Sequence, residues 1–148
     1  MIQLLQKTLL ISALTLVSFF LIFPAQVAAE SHKMKANINC DIQHHACTQT
    51  VSNMTVTLDV QPKPVKAMEN LTFQVSLNNY TSTKVPFIDL GMPGMNMGRN
   101  HVDLKKTGPN QFQGQGVIVR CPSGKTIWRA TVTIPQTGKV DFIFDVIY

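Results

Sequence analysis

The segment Gly91-Met92-Pro93-Gly94-Met95-Asn96-Met97-Gly98-Arg99-Asn100-His101 gathers the side chains with the most specific chemistry in this chain. Three of the chain's seven methionines fall within six residues, and His101 follows four positions after the last of them. A thioether is soft, polarizable and uncharged, and such a ligand selects copper(I) over harder cations. Pro93 and the three glycines shape a turn, which can converge sulfurs that a regular strand would point to alternate faces. His101 can add an imidazole nitrogen. The competing reading makes Met92, Met95 and Met97 gap-fillers at the end of a core. Loops run over the surface, however, so three methionines in a Gly/Pro loop favour ligation.

The three cysteines, Cys40, Cys47 and Cys121, are an odd number, so at least one thiol is left without a partner in the chain. If successive strands alternate in direction, the methionine loop lies at one end, and the strand that finishes at Cys121 returns to that end. Trp128, on the next strand, starts there too. Cys47 precedes the first strand, at the opposite end. A local Cys40–Cys47 disulfide then leaves Cys121 as a free thiol and a further soft ligand for copper(I). The alternative is a disulfide from Cys121 to a folded-back arm. If reduced, Cys40 and Cys47 with His44 and His45 could bind zinc or copper, but Cys-x6-Cys is no recognised zinc spacing. Trp128 is expected in the core, with a ring over a bound cation as the alternative.

Positioning these groups falls to a short β-rich domain. Thr8 to Phe23 carries no charge, follows Lys7 and ends at Pro24; Val27-Ala28-Ala29 places small residues before Glu30. This pattern predicts a signal peptide over residues 1–29. The alternative is an uncleaved segment that anchors the protein in the inner membrane through residues 8–23. Either way the remainder is extracytoplasmic, periplasmic or secreted. From Glu30 onward there are 12 basic and eight acidic residues, a net charge of +4. The basic residues are scattered, with no stripe or aromatic-interleaved patch, so there is no nucleic-acid footprint.

Residues 30–50 show no clear period and read as an arm bearing Cys40, Cys47 and the histidines. Residues 51–148 read as one domain. Val56, Leu58 and Val60 alternate with polar residues, as do Leu71, Phe73, Val75 and Leu77. Further strands are expected near 85–90, 102–104, 111–119, 128–134 and 140–146, separated by Pro, Gly and Asn turns. Gly114 and Gly116 suggest a bulge or a close approach of backbone. About seven short strands with no convincing helix predict an all-β, immunoglobulin-like antiparallel sandwich.

The order of strand, Met-Pro-x-Met-x-Met-Gly loop, strand, Gly-rich strand, tryptophan strand and Phe-rich last strand resembles the YtkA-like and FixH-like group of exported bacterial domains. The resemblance covers roughly residues 51–146, and is best over 89–104 and 127–135. It implies a small sandwich, Met92, Met95, Met97 and His101 as ligands, and a role with copper or in respiratory oxidase assembly. The expected function is therefore a copper(I) carrier or metal-centre assembly factor, with a copper-accepting envelope protein or a respiratory oxidase as partner. A metal-free interaction module is the alternative, its methionine loop an adaptable apolar patch. No serine–histidine–acid or paired-carboxylate signature is present, so no enzymatic activity is expected.

Overall fold

The computed structural model describes residues 37–148. The expected signal peptide and the start of the arm lie outside the described residues. Nine strands form: β1 (Cys47–Val51), β2 (Met54–Gln61), β3 (Asn70–Asn78), β4 (Phe87–Gly91), β5 (His101–Asp103), β6 (Lys105–Gly108), β7 (Gln111–Val117), β8 (Ile127–Ile134) and β9 (Gly138–Asp145). They make two antiparallel sheets, one of order β1-β2-β3-β7-β6 and one of order β5-β4-β8-β9. No helix occurs among the described residues, so none there is long and apolar enough to cross a membrane.

The predicted alternation is what builds the sandwich. On β2 and β8 every second residue is buried, and Val56, Leu58, Val60, Phe73, Trp128, Val132, Phe142 and Phe144 are wholly enclosed between the sheets. Side chains on opposite faces of a strand alternate, so each sheet gives one apolar face to the common core.

Two strands exceed the seven expected, and both additions have local causes. Residues 47–51 pair with β2, Cys47 opposite Leu58, although polar Thr and Gln hide the period of this edge strand. The stretch around Leu104 is two strands rather than one. Val102 is buried on β5 in the smaller sheet; the chain then crosses at buried Leu104 and continues as β6 in the larger one. That crossing explains the glycines of β7. A Cβ on Gly114 would stand 2.4 Å from the Asp103 carbonyl oxygen and 2.9 Å from Val102; one on Gly116 would stand 2.6 Å from Val102. The close approach expected there is present, while the register shift lies on β6, between Lys106 and Gly108.

Cys40 and Cys47 form a disulfide and Cys121 is free. The loop-entropy argument values closing such a short segment at about 2.5 kcal/mol. A disulfide of this kind persists in an oxidising, extracytoplasmic environment. Cys47 was expected at the end of the sandwich opposite Cys121. Because β1 folds back along β2, Cys47 does not lie at the far end of the sandwich.

The arm is tied down by polar side chains. Asn39 lies along the open edge of β9: its backbone N–H donates to Ile143 O (3.0 Å), its side-chain amide donates to Asp141 O (3.0 Å), and its Oδ1 accepts from Ile143 N–H (2.8 Å). Gln43 accepts from Val65 N–H (2.7 Å) and donates to Val65 O and Asp145 O. Lys63 donates to Ile42 O and to Asp59 Oδ1, both at 2.7 Å. Burial pushes the Asp59 carboxyl upward, but hydrogen bonds from Lys63 and Gln61 outweigh it and hold the group below the ordinary aspartate value.

Two outcomes follow. Gly114→Ala should destabilise the domain by about 1–3 kcal/mol, because the new methyl meets backbone rather than a yielding side chain; chemical denaturation measures it. Asp59, with its folded pKa depressed, contributes stability above the ordinary aspartate range that is lost as pH falls through the folded value. Asp59→Asn should therefore lower stability near neutrality and flatten the acid limb of the stability–pH curve. An unchanged acid limb would remove this role.

Candidate metal centre

Register sets the position of the methionine loop. Gly91, the last residue of β4, pairs with Arg129 near the start of β8, and Asp89 pairs with His101 on β5 and with Thr131 on β8. The loop between β4 and β5 thus closes one pole of the smaller sheet. Met92 and Met95 form an isolated bridge, with Met95 N–H donating to Met92 O at 3.1 Å. Gly94 and Gly98 both take φ near +70°, which lets the loop reverse twice within a few residues.

The three methionines separate. Met92 is 2% exposed and belongs to the core, as the gap-filling reading had it. Met95 and Met97 are half-buried against that core. Both line one small cavity of about 220 Å³, with Asp89, Asn96, Asn100, Arg129 and Thr131 among its walls. Asp89 brings a negative charge to this cavity and Arg129 a positive one. The Arg129 Nε is buried with no hydrogen-bond partner.

His101 does not line the cavity. It stands on the outer face of the smaller sheet, its ring tilted against Phe87 with centroids 4.7 Å apart. Its Nδ1 lies 2.9 Å from Asp89 Oδ1 and its Nε2 3.2 Å from Asp103 Oδ1. Neither carboxylate stands out in the sequence as a partner of His101. Asp89 and Asp103 share the outward parity of His101, but the cross-strand register that makes them neighbours was not readable.

Cys121 is at the same pole, as the strand-direction argument expected, but in a different setting. Asn100 Nδ2 donates to Val117 O (3.3 Å), which joins the loop to the end of β7 four residues before Cys121. Cys121 N–H and Trp128 Nε1 both donate to the Tyr148 hydroxyl, at 3.1 and 3.2 Å, and that hydroxyl donates to Lys125 O. Trp128 is therefore a core residue whose one polar atom is satisfied. The Cys121 sulfur lies 3.0 Å from Ser123 Oγ. Hydrogen bonds from Ser123, with a smaller contribution from Lys125, hold the thiol below its ordinary pKa against the opposing effect of burial. Residue Cys121 itself is 4% exposed.

His44 and His45, on the arm, are exposed; the His44 ring lies 2.9 Å from the Asp41 carboxylate. Among the described residues no three His, Cys, Asp or Glu side chains converge on one point. Thioethers are a separate matter, and the pair Met95 and Met97 is where sulfur and an accessible cavity coincide. Comparison with family models, curated proteins and solved structures returns no match to this chain.

Replacing Ser123 by Ala removes the main hydrogen bond to the Cys121 sulfur. The pH profile of its modification by a small thiol reagent should move to higher pH, at unchanged overall stability. A profile that stays in place would mean that Ser123 does not favour the thiolate.

Proposed function

We propose that this domain binds copper(I) through the thioethers of Met95 and Met97 and hands it on, as a periplasmic carrier or metal-centre assembly factor rather than an enzyme. The observation that carries the reading is the shared cavity: two residues with soft, neutral thioethers, both half-buried, line it at the end of β4. Soft thioethers favour the monovalent ion. Few ligands without charge leave it free to exchange. Asp89 adds a compensating negative charge, while Arg129 opposes it, so the balance favours a loosely held cargo over a permanent centre. Met92 serves the loop as its anchor in the core. Cys121 and His101, each engaged elsewhere, are outside this ligand set. The Cys40–Cys47 disulfide supports an extracytoplasmic setting. The resemblance of the loop and the tryptophan strand to YtkA-like and FixH-like domains supports an envelope acceptor such as a respiratory oxidase.

A second reading, a metal-free interaction module, is favoured by one other feature. Met68 (67% exposed), Val119 and Ile147 stand out as apolar side chains at neighbouring positions. Met68 N–H donates to Ile118 O, and Ala67 N–H to Ile147 O. A partner held by that surface would be captured equally well without copper.

A copper(I) titration against a competing chelator separates the two. The Met95→Leu/Met97→Leu double variant should bind at least tenfold more weakly than the parent, and Met92→Leu should bind as the parent does. Equal affinity of the double variant and the parent would exclude the thioether site.

A further inference from the structure

Thioethers are not the only donors arranged at this pole. We propose that His101 Nε2 and Asp103 Oδ1 form a second, distinct metal site, for a divalent first-row cation such as zinc(II) or copper(II), with Asp89 as the residue that positions the imidazole. The site goes beyond the copper(I) reading and does not depend on it.

The geometry makes the case in three steps. First, the tautomer is set. A carboxylate only accepts hydrogen bonds, so Asp89 Oδ1, at 2.9 Å, requires the proton on Nδ1. With that proton on Nδ1, a neutral ring presents its Nε2 lone pair on the side away from Asp89 and towards Asp103. A ligating histidine that gives its other N–H to a carboxylate is the common arrangement in metal sites, because it fixes the ring and raises the basicity of the ligating nitrogen. Second, that lone pair and Asp103 Oδ1 are both acceptors, 3.2 Å apart. Two acceptors at this distance repel unless a positive charge lies between them. Third, the spacing suits a metal ion. With bonds of about 2.0–2.1 Å and a tetrahedral angle, two ligand atoms stand about 3.3 Å apart. The observed separation, 3.2 Å, is slightly shorter than that value.

The donors are also held in place. His101 and Asp103 are two apart on β5 and share its outward face. The His101 side chain is 18% exposed, pinned between Phe87 and Asp89, whereas the Asp103 side chain is 91% exposed. β5 is the edge strand of its sheet, so the remaining coordination positions face solvent. Imidazole and carboxylate suit borderline divalent ions and not the soft monovalent ion. The two sites therefore sort metals by hardness while sharing one wall: Asp89 lines the thioether cavity and orients His101.

The test is a calorimetric zinc(II) titration of the full chain in a background where His32, His44 and His45 are replaced by Gln, which removes the other imidazoles. One equivalent should bind, with the His101 ring resonances shifting as it does. His101→Gln should abolish that uptake. Asp103→Asn, a change at an exposed side chain that leaves the fold undisturbed, should weaken it at least tenfold, and Asp89→Asn should also weaken it tenfold or more. Met95→Leu/Met97→Leu should leave zinc uptake unchanged, so the failure of one site is distinguishable from the failure of the other. No uptake by the parent would overturn the proposal. Uptake indifferent to His101→Gln or to Asp103→Asn would overturn it equally.

Discussion

The crossing of the chain between sheets at Leu104 is the constraint on which the pole of this molecule depends. The backbone there runs so close to β7 that only a residue without a side chain fits opposite it. Once that contact is made, β5 must end beside β4 and β6 must begin beside β7. His101 and Asp103 are thereby held on an outer face, and the methionine loop has to span the short gap from β4 to β5. Close packing leaves little room for adjustment, because interiors are as dense as organic crystals. The glycine is thus coupled to donor atoms that it never touches.

Around that crossing the pole divides its polar groups among separate tasks. Tyr148 accepts from the Trp128 and Cys121 donors and donates its own hydrogen bond to a carbonyl, so the tryptophan can be enclosed without an unmet hydrogen bond. Met92 fills the core while its two neighbours in the loop stay half-exposed. Loop chemistry in this protein is a matter of degree of burial: identical side chains two or three residues apart serve packing in one case and an open cavity in the others.

How much of this could be read from residues alone differs by level. The apolar alternation of β2, β3, β8 and β9 was legible because each has one buried face and several long apolar side chains, and a period of two survives in such stretches. Cys47–Val51 was not, since an edge strand of Thr and Gln carries no alternation to detect. The division at Leu104 was hidden for a different reason: a buried leucine between two strands looks like a strand residue. The pole shared by the methionine loop, Cys121 and Trp128 followed from strand direction. Which of those side chains line one cavity did not follow, because that depends on rotamers and on cross-strand register. Nothing in the sequence sets Asp89 and Asp103 apart from other acids; cross-strand pairing and strand parity place them on either side of His101.

The arm raises a matter of assembly. Asn39 satisfies the outer backbone groups of β9 and so denies them to a strand from another molecule, and the neighbouring Cys40–Cys47 bond keeps it there. Unsatisfied sheet edges are templates for aggregation. Oxidation of this cysteine pair consequently does more than restrict the unfolded chain: it ties the segment that covers this edge to the start of β1. With the pair reduced, only the hydrogen bonds of Asn39 and its neighbours would keep the arm over that edge, so the covering of β9 depends on the redox state of two cysteines as well as on its own polar contacts.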